Sequence, residues 1–244
     1  MTRTSEPGAP VIELDRVSVE LGGRAVLRDV SVRLDQGRIA VIGANGSGKS
    51  TFARLLNGLV APRSGRVSVH GIDASREARR IRDLVGFVFT NPDAQILMPT
   101  VAEDIALSLR GTGLPRDAVA ARVMAELERY GLADRGDQPV YSLSGGQKQL
   151  VALIAVLIRR PAVLVADEPT TLLDLGNARR IGELLAPAAT EDAIAAQTVI
   201  VTHDLDLAAR CDVALRFSEG RLVEVGAPAE VIARYRAEHE DARR

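Results

Sequence analysis

Cysteine is almost absent from this chain. Cys211 stands alone, so no internal disulfide can form, and a reducing compartment is the expected setting. A basic surplus is also absent. With 31 basic and 32 acidic residues the net charge is −1, whereas a stand-alone nucleic-acid binder carries a clear positive excess. No nucleic-acid partner is expected. Long apolar runs are missing too: the longest, Leu150 to Ile158, falls well short of the roughly 18 residues that span a bilayer. The start, Met1 to Pro10, is polar and lacks the apolar stretch of a signal peptide. Integral membrane, secreted and collagen-like classes are therefore excluded. Lysine is scarce as well, and the only two, Lys49 and Lys148, can each be questioned.

What is present is ordinary globular material, 46% hydrophobic and 26% charged. Its 244 residues correspond to about 1.6 typical domains, so one large or one split domain is expected. A chain this long buries roughly 70–75% of its unfolded surface and needs no disulfide or metal staple. Approximate alternation from Val11 to Leu34, broken by Gly22-Gly23, predicts an antiparallel hairpin. Ile39 to Ile42 reads as a short strand, Thr51 to Leu59 as a helix, and Gly65 to Gly71 and Leu84 to Phe89 as further strands. Helical spacing runs from Thr100 to Arg135, broken at Gly111 to Pro115, and again from Gly145 to Arg160, where Pro161 stops it. Ala162 to Ala166 and Thr198 to Val201 are continuous apolar runs of the buried parallel kind. Val213 to Phe217 and Arg221 to Val225 flank a Ser218-Glu219-Gly220 turn as a closing hairpin. The fold class expected is α/β. Residues 1–10 read as a loose tail, 11–236 as one domain with a helical subdomain near 100–158, and 237–244 as a charged tail. The arginines Arg76, Arg79, Arg80 and Arg82, interspersed with Glu77 and Asp83, read as a solvated helix face or as a contact for lipid head groups or a partner loop.

The chemistry begins at Gly43-Ala44-Asn45-Gly46-Ser47-Gly48-Lys49-Ser50, which fits the phosphate-loop pattern. A strand precedes it and a helix follows it. Glycines let backbone N–H groups turn inward around phosphate oxygens. The following helix points its positive end at the same anion. Lys49 supplies a mobile charge for the β- and γ-phosphates, and the Ser50 hydroxyl suits Mg²⁺. Binding of ATP or GTP is expected. A second element, Ala162 to Pro169, is an apolar strand ending in Asp167 and Glu168, a costly place for charge unless it faces a cation or the nucleotide. Asp167 suits a Mg²⁺-bound water, and Glu168 can deprotonate an attacking water.

The third element is Leu143-Ser144-Gly145-Gly146-Gln147, a serine hydroxyl and a second set of N–H groups at a helix start. One chain needs only one cradle for one nucleotide. Two cradles suggest that the second chain of a pair caps the γ-phosphate held by the first. At this point the sequence strongly resembles the ATP-binding cassette (ABC) ATPases, over roughly Val11 to Arg236. The resemblance implies a P-loop NTPase cassette with a mixed core sheet, an antiparallel β subdomain and an inserted helical subdomain. It implies ATP and Mg²⁺ as cofactors, with Gly43, Ala44, Asn45, Gly46, Ser47, Gly48, Lys49, Ser50, Thr51, Ser144, Gly145, Gly146 and Gln147 as the nucleotide-binding residues. Ser50 and Asp167 would serve the metal, and Glu168 and His203 would be catalytic. His203 follows an apolar strand, matching the family's switch histidine, and Asp174 matches the loop that communicates across the dimer. His70 and His239 have no such context.

Asn91-Pro92-Asp93-Ala94-Gln95 with Pro99 to Ala106, and Ser50 to Leu59, are similar to the ATPases of energy-coupling-factor importers for vitamins and transition metals. That likeness implies integral membrane subunits, a second cassette, identical or related, a place on the cytoplasmic face of the cell membrane, and a small cargo that this chain does not touch. Biotin is favoured over cobalt or nickel. The alternatives are the ATPase of another ABC transporter, or a non-transport ATPase of the superfamily. A DNA-repair ATPase would need a coiled-coil or metal-binding insert, a translation factor a second cassette, and a small-molecule kinase would have no use for Leu143 to Gln147. Two positions depart from the family. Thr90 stands where a glutamine is expected, with Gln95 as the nearby candidate to replace its reach, and Leu21 stands where an aromatic would stack on adenine.

Overall fold

The computed structural model describes residues 10–188 and 193–241. Of the expected leading tail, only Pro10 falls within the described residues. The hairpin at the start is present: β1 (Ile12–Leu21) and β2 (Arg24–Leu34) pair antiparallel around Gly22 and Gly23, both at positive φ. After β3 (Arg38–Gly43) and α1 (Lys49–Leu56), β4 (Ser64–Val69) pairs with β1 on its other edge and with the two-residue β5 (Ile72–Asp73). The resulting four-stranded antiparallel sheet has the order β2-β1-β4-β5.

Next come α2 (Ala78–Leu84), β6 (Val85–Val88) and the helices α3 (Val101–Leu107), α4 (Arg116–Arg129) and α5 (Gly145–Leu157). All three helices lie in the chain between β6 and β7 (Val163–Asp167), so the helical segment is an insertion in the core. The chain continues with α6 (Leu175–Leu185), β8 (Gln197–Val201), α7 (Leu205–Ala208), β9 (Val213–Ser218), β10 (Arg221–Gly226) and α8 (Pro228–Asp241). Helix α8 crosses the expected domain end at Arg236. The core sheet has the order β10-β9-β3-β8-β7-β6, five parallel strands with β10 antiparallel at the edge.

The period-two geometry of strands sorts the core into two halves. Ile39 and Val41 of β3 face one way, packing with Phe52, Leu55 and Leu56 of α1 and with the antiparallel sheet. Ala40 and Ile42 face the other way, toward the helical segment and α6 to α8. Burial on both faces is why β7 is apolar up to Asp167 and β8 is apolar from Val199 to Val201. Helix α1 stops at Leu56, earlier than its apolar spacing suggests, because Gly58 turns the chain at φ +72°. Arg76, Arg79, Arg80 and Arg82 are all exposed on or beside α2.

Candidate functional site

Four neighbouring parallel strands end on the same edge of the core sheet, where ligands of open α/β sheets bind. From these ends the chain delivers Gly43 after β3, Thr90 beyond β6, Asp167 and Glu168 at β7, and His203 beyond β8.

The phosphate loop has the backbone a cradle requires. Gly43 sits at φ +144°, and a Cβ there would lie 2.2 Å from the Phe217 carbonyl oxygen; at Gly48, φ +104°, it would lie 2.6 Å from Leu27. No larger residue fits either position. Lys49 opens α1 and is 95% buried (5% exposed), donating from Nζ to the carbonyl oxygens of Gly43 at 2.7 Å and Ala44 at 3.0 Å. Burial lowers its pKa, opposed by the charges of Glu168 and Asp167. The Ser47 hydroxyl is buried in the same loop with no hydrogen-bond partner among the described residues. Such a donor is costly to leave unmatched, and a phosphate oxygen would satisfy it. Ala44, Asn45 and Gly46 are exposed at the rim, and Thr51 is buried in α1.

Beside the loop, the Ser50 hydroxyl donates to Oδ1 of Asp167 at 2.8 Å. Asp167 is only 2% exposed. Its pKa is raised, chiefly by burial, while the Ser50 hydrogen bond and the Arg54 guanidinium at 3.7 Å pull the other way. Glu168 takes φ +52°, in the left-handed region rarely used by non-glycine residues. Its Oε2 lies 2.7 Å from Nδ1 of His203. A carboxylate only accepts, so the imidazole proton in that contact belongs to Nδ1.

Thr90 does not reach into this space: its hydroxyl donates to the Asp167 carbonyl oxygen at 2.8 Å. Gln95 does not compensate for it. Its oxygen accepts from the Phe89 N–H at 3.1 Å and its nitrogen donates to the Ala152 carbonyl at 2.9 Å, so both ends hold the loop against α5. Leu21 ends β1 and is 45% exposed, an apolar surface without a ring. His70 lies 2.9 Å from the Gln197 side chain, away from these strand ends, and the side chain of His239 lies outside the described residues.

The signature segment forms a capped helix start. The Ser144 hydroxyl accepts from the Gln147 N–H at 3.3 Å, and the Gln147 side chain accepts from the Ser144 N–H at 2.9 Å, the reciprocal pair of a capping box. At Gly146 a Cβ would sit 2.2 Å from the Asn177 side chain, which would have to move aside. Asn177 is in turn bonded to Asp174, the N-cap of α6, whose carboxyl those bonds hold below the usual range. Among the described residues no hydrogen bond or ion pair joins Ser144 to Gln147 with Gly43 to Thr51. The chain thus brings the loop, Asp167, Glu168 and His203 together and leaves the signature outside that network.

Two residues of the site were not anticipated. Thr171 donates to Oε2 of Glu168 at 3.0 Å, and Arg54 approaches Asp167. Their spacing, three residues after Glu168 and one helical turn after Ser50, is the only signal the sequence holds for them.

Residues 27–171 match the ABC transporter family. The chain is 43% identical over 225 residues to the biotin transport ATP-binding protein of Rhizobium etli, covering 92% of this chain and 97% of that protein. It is 44% identical over 214 residues to an energy-coupling factor transporter ATP-binding protein of Symbiobacterium thermophilum, covering 86% and 74%. Among solved structures it is similar to cbiO1 from Clostridium perfringens, part of the ABC transporter complex cbiONQ, with a TM-score of 0.80 and 33% identity over 94% of this chain and 93% of that one. With a phosphate loop, an acidic strand end and a capped signature helix on this fold, the chain belongs to the ABC transporter family as an ATP-binding cassette ATPase, in the group that includes the energy-coupling factor ATP-binding proteins.

Proposed function

We propose that this chain is the ATP-hydrolysing subunit of an energy-coupling-factor importer, at the cytoplasmic face of the membrane, with biotin ahead of cobalt or nickel as cargo. The biotin preference is supported by the likeness to the Rhizobium etli protein. No helix among the described residues is long and apolar enough to cross a membrane, so integral partners would supply the path. The observation that carries the reading is the pair of complete cradles, Gly43 to Ser50 and Ser144 to Gln147, with no bond between them in one chain. Two cassettes facing head to tail bring each signature onto the other's nucleotide.

In that arrangement Lys49 leaves its two carbonyl partners for the β- and γ-phosphates, and Ser144 and Gly146 of the second cassette cap the γ-phosphate. Oxygen is the hard donor Mg²⁺ prefers, and the Ser50 hydroxyl and Asp167 carboxylate, 2.8 Å apart, are the residues that would hold it. When bound, Mg²⁺ neutralises charge on the phosphate oxygens. Glu168 accepts a proton from water as the water oxygen bonds to the γ-phosphorus. The bond to the bridging oxygen breaks, and its electron pair leaves with ADP. His203 keeps its Nδ1–H on Glu168 and so holds that carboxylate beside the γ-phosphate. Loss of that phosphate removes the ligand shared by both cassettes, and the pair opens. Phe87 and Phe89 face Ala155 and Val156 of α5 across a groove that would receive a short helix of the membrane partner.

The test is Glu168→Gln. The variant should retain ATP, stop turning over and run as a dimer by light scattering. Hydrolysis at the wild-type rate would remove Glu168 from its role. Ser144→Arg should bind nucleotide yet lose turnover, and unchanged turnover would overturn the two-cradle arrangement. Purification in detergent should recover hydrophobic membrane proteins with the chain.

A further inference from the structure

The two oxygens of the Glu168 carboxylate are not equivalent. Three donors converge on Oε2: Nδ1 of His203 at 2.7 Å, the His203 main-chain N–H at 3.3 Å and the Thr171 hydroxyl at 3.0 Å. No donor among the described residues reaches Oε1. Donors on one oxygen stabilise negative charge there, so a proton arriving at the carboxylate is taken by the other. The main chain supports the same geometry. Thr171 N–H donates to the Glu168 carbonyl at 3.4 Å, closing a tight turn that keeps hydroxyl and carboxylate together.

We propose that Thr171 is a positioning residue for hydrolysis: its hydroxyl fixes Oε2 of Glu168 and so presents Oε1 to the attacking water. This rests on Glu168 acting as the base. Water gives its proton to Oε1 while its oxygen bonds to the γ-phosphorus and ADP departs, and Oε2 keeps its three hydrogen bonds throughout. Threonine suits the task because its β-branched side chain has few χ1 states, so the hydroxyl is aimed before substrate arrives. His203 alone holds Oε2 from one direction, and Thr171 adds a donor from the following turn of chain.

The experiment uses the full chain and compares Thr171→Val, which keeps the shape without the hydroxyl, with Thr171→Ser, which keeps the hydroxyl. Thr171→Val should lower kcat by about tenfold or more, the size expected for a lost hydrogen bond to a charged group. The KM for ATP should stay within about twofold, since the phosphate loop is untouched. Thr171→Ser should hold kcat within about threefold of wild type. In a Glu168→Gln background, Thr171→Val should leave ATP retention and the light-scattering dimer unchanged, because there is no carboxylate left to orient. A wild-type kcat in Thr171→Val, or a serine variant as slow as the valine one, would overturn the proposal. Glu168→Gln alone, still turning over at full rate, would instead overturn the base assignment, so the two failures are told apart.

Discussion

The Ser50 hydroxyl and the Asp167 carboxylate meet at 2.8 Å although 117 residues separate them in the chain. One opens α1 and the other ends β7, and the parallel sheet is what makes them neighbours. Two oxygens at the mouth of a phosphate loop are donors of the kind a hard divalent cation takes. Ser50→Ala should therefore raise the Mg²⁺ concentration for half-maximal ATPase activity by about tenfold or more, while ATP binding measured in a chelator changes little. An unchanged Mg²⁺ requirement would show that the Ser50 oxygen is only a partner for Asp167.

At the other end of the nucleotide the site is weak by the same standard. Leu21 is an exposed apolar residue at the position where the family resemblance implies a ring stacked on the base. An aromatic contact is worth on the order of 0.5–1.5 kcal/mol beyond area burial, and its absence leaves recognition to the phosphates, which ATP and GTP share. The two nucleotides should bind within about tenfold of each other. Leu21→Tyr should tighten ATP binding by about threefold to tenfold. Should calorimetry give GTP an affinity a hundredfold below that of ATP, base recognition must lie elsewhere in the site.

Much of this site is visible in the sequence because its physics is local. A glycine-rich turn between strand and helix, two carboxylates ending an apolar strand and a serine–glutamine capping box each declare themselves within a few residues. Val163 to Ala166 of β7 and Val199 to Val201 of β8 show as apolar runs because both faces are buried. What stayed hidden depends on tertiary contact. Gln95 looked free to replace the missing glutamine, yet α5 claims its nitrogen and the Phe89 N–H its oxygen. Thr171 and Arg54 gain meaning only once the sheet has set Glu168 and Asp167 beside them. Helix α6 was also unforeseen: it opens Leu-Gly-Asn, poor helix material, and is started by the Asp174 cap and its bond to the Asn177 N–H.

Cys211 offers a check on the packing itself. It is 7% exposed, and burial pushes its thiol up to about 12 from an ordinary 9.0. A thiol whose folded pKa is raised keeps its proton where the unfolded chain would lose it. Its contribution to stability is complete below about pH 9 and disappears as pH rises toward 12, with a slope of about 1.4 kcal/mol per pH unit. Wild type should lose stability more steeply than Cys211→Ala between those limits. At pH 8 the native chain should resist alkylation and label fully only in denaturant. Rapid labelling of the native protein would mean that this corner of the core is open.

Helix α5 joins two ends of the proposed cycle. Its cap, Ser144, belongs to the signature, while Ala155 and Val156 near its other end wall the groove beside β6. Between them α5 grips the Phe89 to Gln95 segment through Lys148 to Asp93 at 2.7 Å, Gln149 to the Phe89 carbonyl at 3.3 Å and the Gln95 bond to Ala152. In the proposed cycle a push on the groove would travel along this one helix of about 20 Å to the lid of the neighbouring site. Asp93 is well exposed, so its pair with Lys148 adds little to stability, under about 1 kcal/mol. Asp93→Ala should leave the melting temperature within about 3 °C and the ATPase rate of the isolated subunit within twofold. Its effect should appear only in the complex with the membrane partner, as a weaker stimulation of turnover, and the swap Asp93→Lys with Lys148→Asp should restore it. Full stimulation in Asp93→Ala would leave the apolar packing of α5, not the ion pair, as the part that carries the motion.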